Sequence, residues 1–209
     1  MQLISVNIGQ AEVLQHGAFS ECTGIRKAPA AHAVEITPLG LAGDAVVDVE
    51  NHGGLDQAVY LYGEADYAWW SVQCGYALEP GAFGENLTIS ALESASLAIG
   101  DILHVGVVAL QVTAARIPCA TLAARMGDPS FVKRFRAAER PGAYCRVLKA
   151  GSVQAGDVVT IERYAGATVS LVESFRDFYD PHPSAEKIRR HLAAPIAERA
   201  RAHMEKKLA

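Results

Sequence analysis

Over the first 163 residues, apolar and polar positions alternate with a period of two in short runs that end at glycine-marked turns. Ile4, Val6 and Ile8 alternate with Ser5 and Asn7, and Val34 with Ile36 starts a second run closed by Pro38 and Gly40. Residues 58–62 are aromatic and branched, and Leu87 with Ile89 makes a further run. Residues 102–105 and 107–112 flank Gly106 and predict a hairpin, while 143–148 and 158–161 complete the set. Many short strands with turn signals predict a barrel or a sandwich. Helices interrupt them. Residues 64–73 place Tyr67, Trp70 and Cys74 on one face, and 120–126 form a short helix-like segment. Asp128-Pro129 suits a helix start, with aspartate as the cap and proline at the first position, for a helix running to Ala138.

After Arg163 the period lengthens to that of a helix. Residues 169–178 put Leu171, Phe175 and Phe178 on one side, and 185–193 follow the breaker Pro181-His182-Pro183 and the cap Ser184. A third helix is expected to open at Pro195, with Ile196, Ala200, Met204 and Leu208 at four-residue steps. The expectation is a mainly β fold with helices: a β-barrel domain over 1–163 and a three-helix module over 164–209. The tail's Arg and Lys residues read as a solvated outer face.

Composition narrows the classes. Half of the 209 residues are hydrophobic, enough for a sizeable core. A net charge of -4 argues against general binding to nucleic-acid polymers or to anionic membranes. No run approaches the ~18 apolar residues of a membrane span. No Lys or Arg precedes Arg26, unlike a signal peptide. Cys22, Cys74, Cys119 and Cys145 are too far apart for a C-x-x-C pattern, so free thiols and a cytoplasmic location are expected.

Four stretches carry chemistry. In Arg116-Ile117-Pro118-Cys119 a thiol stands where a strand gives way to a helix, beside a guanidinium that favours thiolate; a buried hydrophobic cysteine is the plainer reading. Asp44 and His52-Gly53-Gly54 belong to a glycine-rich segment whose backbone either cradles an anion or makes a tight turn. Glu85-Asn86 offers a carboxylate and an amide to a pocket, or a turn. Arg146 interrupts an apolar strand and, with Arg116 and Lys27, is a cation for a phosphate. No G-x-S-x-G, P-loop, G-x-G-x-x-G after a strand or H-E-x-x-H is present, which disfavours the common hydrolase, NTPase and dinucleotide readings.

In order and spacing, these stretches together with Thr23 to Pro29, Gly40 to Asp44, Gly81 to Leu87, Gly100-Asp101, Gly142 to Val147 and Gly156-Asp157 resemble the MOSC domain. That domain is named for the C-terminal part of molybdenum-cofactor sulfurases. The tail is similar to the extra module of the branch called YiiM, whose members are linked to reduction of N-hydroxylated bases such as 6-hydroxylaminopurine. The resemblance implies a MOSC-type β-barrel, molybdenum cofactor (molybdopterin), and Cys119 as molybdenum ligand or sulfur carrier. It also implies that His52, Asn86, Arg116, Arg146 and Lys27 line the cofactor pocket, with Gly53 and Gly54 under a pterin phosphate. Asp44, Glu85 or His52 would deliver protons. A small N-hydroxylated substrate is implied, and so is an external electron-donor protein, since no flavin, haem or iron–sulfur motif is present. Two alternatives stay open: a persulfide carrier on Cys119, and a cofactor-binding or delivery module without turnover. The apolar tail either seals the barrel or makes a homodimer contact.

Overall fold

The computed structural model describes residues 1–208; Ala209, the last residue of the expected tail module, lies outside them. The chain forms β1 (Leu3–Gly9), β2 (Glu12–His16), β3 (Phe19–Thr23), β4 (Lys27–Pro29), β5 (Val34–Thr37) and β6 (Gly40–Leu41). A short helix α1 (Val49–His52) leads to β7 (Val59–Gly63), α2 (Glu64–Cys74) and β8 (Leu87–Ile89). Then come β9 (Ile102–Val105), β10 (Val108–Ala115), α3 (Ala120–Met126), α4 (Phe131–Ala138), β11 (Ala143–Lys149), β12 (Gly151–Val153) and β13 (Val159–Glu162). The chain ends in α5 (Leu171–Phe178), α6 (Ala185–Ala193) and α7 (Glu198–Leu208). Helix and strand take nearly equal shares, 31% and 30%, so the fold is mixed, with a sheet as its frame.

Eight strands form that sheet in the order β13-β9-β10-β11-β7-β8-β1-β4. All neighbours are antiparallel except β7 and β8, which pair in parallel with Leu61 opposite Leu87. A parallel pair needs a crossover, and α2 provides it. The sheet curls until β13 meets the start of β1. Gln2 bridges Val158, Leu3 N–H donates to the Asp157 carbonyl at 2.9 Å, and Val159 N–H donates to the Met1 carbonyl at 2.9 Å.

One aromatic cluster fills the space between the sheet and the helices. Trp70 on α2 stacks near Phe131 and Phe135 of α4, with centroids at 5.0 and 5.9 Å, and Phe83 stacks on Tyr62 at 4.6 Å. Phe135 meets Phe175 of α5 at 6.3 Å. The tail is therefore packed on the same core as the strands, and its backbone joins them: Leu171 N–H reaches the Leu97 carbonyl and Ala197 N–H the Thr113 carbonyl.

Three local expectations change. The β2–β3 hairpin went unforeseen because its alternation is broken by polar residues on both faces. Helix α4 starts at Phe131 rather than at Pro129, with Ser130 and not Asp128 in the cap position; Asp128 accepts the Ser130 N–H at 2.8 Å in the turn before it. Helix α7 starts at Glu198, because a turn at Pro195 and the irregular residues 196–197 bury Ile196 and Ala197, the latter donating its N–H to the Thr113 carbonyl of β10.

Glu85 is placed in the core and not in a pocket. It is fully buried and accepts from the Tyr67 hydroxyl (2.6 Å), Thr88 hydroxyl (2.8 Å), Gly81 N–H (2.7 Å) and Phe83 N–H (3.2 Å). Its carboxylate folds the 81–85 loop onto itself. We expect Glu85→Ala to destabilise the protein by about 3 kcal/mol in urea unfolding, since four donors lose their acceptor in a place water does not reach.

Candidate functional site

The ends of β10, β11, β7, β8 and β4 converge on a cavity of about 680 Å³, counted out to its mouth. It brings together Lys27, Asp44, His52, Asn86, Arg116 and Cys119 from the sequence-derived set. The strands fix where each side chain enters. Arg116 follows β10 directly, Cys119 immediately precedes α3, Lys27 opens β4, and Asn86 immediately precedes β8.

Arg116 has the most demanding position. It is 3% exposed, and its Nη1 has no hydrogen-bond partner. Its guanidinium lies 5.5 Å from the Tyr60 ring centroid and 5.9 Å from that of Phe135. No carboxylate pairs with it among the described residues. Buried charges ordinarily require a partner, and aromatic faces compensate only partly. A cavity wall of this kind suits an anion.

Cys119 occupies the residue before α3 in an extended conformation. Burial pushes its thiol up, but interaction with His52, the charge of Arg116 and the backbone N–H of Leu122 outweigh it, and the thiol titrates at about 6 rather than 9.0. Cys145 shows the contrast: fully buried on β11 with nothing to offset burial, its thiol is pushed well up. His52 is held by its Nδ1, 3.1 Å from the Tyr144 hydroxyl.

Lys27 and Asp44 form a buried ion pair in the cavity wall. Asp44 also accepts the Gly9 N–H at 2.8 Å and the Asn86 Nδ2 at 2.8 Å. Burial draws the Lys27 ammonium down, and Asp44 holds it up. Asn86 accepts the Tyr60 N–H at 3.1 Å, so its amide ties β7 to Asp44 and leaves little free for a ligand.

Gly53, Gly54 and Arg146 lie apart from this group, in a neighbouring cleft; Gln57 lines both spaces. The two glycines serve the backbone. A Cβ at Gly53 would come within 3.0 Å of the Val49 Cα, and Gly54 adopts φ +86°, ψ 175°, a region open essentially to glycine alone. They let the chain leave α1 so that His52 faces the cavity. Arg146 pairs with Asp56 at 3.0 Å and donates to the carbonyls of Pro195 and Ile196, which anchors the tail. Sequence reasoning passed over Tyr60, Tyr144, Gln57 and Cys22, all of which line the cavity. The Tyr residues were legible only as strand formers, because their partners are remote in sequence.

The thiolate yields a pH test. Iodoacetamide should modify Cys119 of the ligand-free protein with a rate that is flat above pH 7 and falls below pH 6. Arg116→Met should raise the midpoint of that profile by about one pH unit and slow the reaction at pH 6 about fivefold. Between pH 6 and 9 the folded chain binds fewer protons than the unfolded one, so stability should rise with pH there and be lost as pH falls through 6. Cys119→Ser should flatten that slope in denaturant titrations.

The model of the MOSC domain matches residues 48–160, a little over half the chain. The uncharacterized protein YflK of Bacillus subtilis is 32% identical over 206 residues, covering 98% of this chain and 93% of that one. A protein named "Reductase" from Gibberella moniliformis is 34% identical over 128 residues, which are 58% of this chain and 22% of that protein. The crystal structure of YiiM from Geobacillus stearothermophilus superposes with a TM-score of 0.81 at 27% identity, covering 100% of this chain and 99% of that one. No helix among the described residues is long and apolar enough to cross a membrane. The chain belongs to the MOSC domain family and has a YiiM-like fold.

Proposed function

We propose that this protein binds molybdenum cofactor and reduces N-hydroxylated compounds such as 6-hydroxylaminopurine to the amine. The observation that carries this reading is the buried, unpaired guanidinium of Arg116 beside a thiol that titrates at about 6. A cation without a carboxylate and a soft thiolate in one cavity fit an anionic group that contains a soft-ligand metal. Cys119 would supply the sulfur ligand, and Arg116 would face the anionic part of the cofactor. When bound, the cofactor supplies two-electron oxygen-atom transfer.

The remaining chemistry belongs to the chain. Lys27 is held by Asp44 and contributes a fixed, largely neutralised pair to the wall, so Asp44 is poorly placed to release protons. His52, partly exposed at the cavity, is the better proton carrier. Reduction of R–NH–OH to R–NH2 and water consumes two electrons and two protons. The electrons come from a separate donor protein. The family match and the relative named as a reductase support the reading.

Persulfide carriage is the second reading, and the same low-titrating thiol favours it. Metal analysis separates the two. Protein purified from a host that makes the cofactor should contain about one molybdenum and one pterin per chain, and Cys119→Ser should lose the metal. With a chemical reductant, the loaded wild type should convert 6-hydroxylaminopurine to adenine. Absence of molybdenum and pterin, with cyanide-releasable sulfur on Cys119, would overturn the reductase reading in favour of the carrier.

A further inference from the structure

Tyr144 enters the cavity on β11, the rigid middle of the sheet, with Tyr60 and Ala114 opposite it on the flanking strands. His52 comes from the other extreme. It ends a four-residue helix that buries none of its own side chains and is held chiefly by the Asp48 cap and the two glycines that follow. Nothing in α1 itself fixes the direction of the imidazole. The contact that does so is the one between Nδ1 and the Tyr144 hydroxyl, at 3.1 Å.

The direction of the proton in that contact follows from the neighbours. Tyr144 is 7% exposed, and burial pushes its phenol up, so it keeps its proton at neutral pH. A buried O–H needs an acceptor. The adjacent guanidinium of Arg116 can only donate. The Tyr60 hydroxyl is already committed to the Pro141 carbonyl at 2.9 Å. His52 Nδ1 remains as the acceptor, and a neutral imidazole that accepts at Nδ1 carries its hydrogen on Nε2. Asp48 Oδ2 stands 4.0 Å from Nε2, on the side where that N–H benefits from a carboxylate.

We propose that Tyr144 is a positioning residue that holds His52 as its Nε2–H tautomer, with that N–H directed at the Cys119 cavity. This rests on the N-hydroxy reading only for its catalytic consequence. There, the Nε2–H donates a hydrogen bond to the oxygen that leaves as the N–O bond breaks, and the two protons consumed, one on that oxygen and one on the nitrogen, come from solvent at the exposed edge of the ring. The two electrons come from the donor protein, and the products are amine and water.

The test needs no cofactor. Protein labelled with 15N-histidine is examined by long-range 1H–15N correlation at a pH where the ring is neutral, with His52→Gln assigning the resonance. Wild type should show the Nε2–H pattern, and Tyr144→Phe should shift both ring nitrogens toward a tautomer average. In the loaded enzyme Tyr144→Phe should lower kcat about tenfold with KM unchanged. A wild-type proton on Nδ1 would overturn the proposal even if the variant failed to fold. So would a folded Tyr144→Phe protein with the wild-type nitrogen pattern. If the loaded wild type reduces no N-hydroxylated compound, the reductase reading falls, while the spectrum still decides the role of Tyr144.

Discussion

A positive charge with no carboxylate to meet it, sealed between two aromatic rings, is the constraint around which this molecule is arranged. Charges are rarely left so, because desolvation costs several kcal/mol per ion. The sheet enforces it: Arg116 follows β10 without a loop in which to swing, and Tyr60 and Phe135 come from β7 and α4 on either side. The neighbouring groups respond. Cys119 loses its proton more readily, and Tyr60 and Tyr144 supply ring faces and oxygens where an acid would otherwise stand.

The acids near the cavity are occupied elsewhere. Asp44 is paired with Lys27 and stitched to Asn86, and Glu85 is wrapped in its own loop. Asp56 joins three parts of the chain, taking Arg146 from β11, the Glu198 N–H from the start of α7 and, through its carbonyl, the Thr113 hydroxyl from β10. The tail helices are thus fastened to the turn that presents Gln57, so that the module and the cavity form one mechanical unit.

Much of this was legible in the chain. The aromatic and branched residues at 58–62 and the short apolar run at 87–89 mark strands buried on both faces, and the alternation over 102–112 marks strands with one face buried. The helical tail showed in the step from Leu171 to Phe175, and both residues are buried. Six of the residues chosen for chemistry meet in one cavity because each lies at or near the end of a strand or a helix, where the chain changes direction and remote segments converge. Other features were not legible. Glu85, Arg146 and the glycine pair look the same in sequence whether they serve a ligand or a fold. Only their partners decide, and those lie as much as 90 residues away, as Asp56 does for Arg146. Tyr144 was hidden for a related reason: in a strand an aromatic residue needs no further explanation.

The seam between β13 and β1 also sets an order in time. The Met1 carbonyl and the Leu3 backbone find their partners in residues 156–159. During synthesis the Met1–Leu3 end of β1, beyond the part that pairs with β4, therefore keeps an open edge until residues 156–159 have left the ribosome. Closing a contact across so long a loop is entropically slow. An unpaired apolar edge held open for that interval is the place where nascent chains of this protein would be captured by chaperones or by one another.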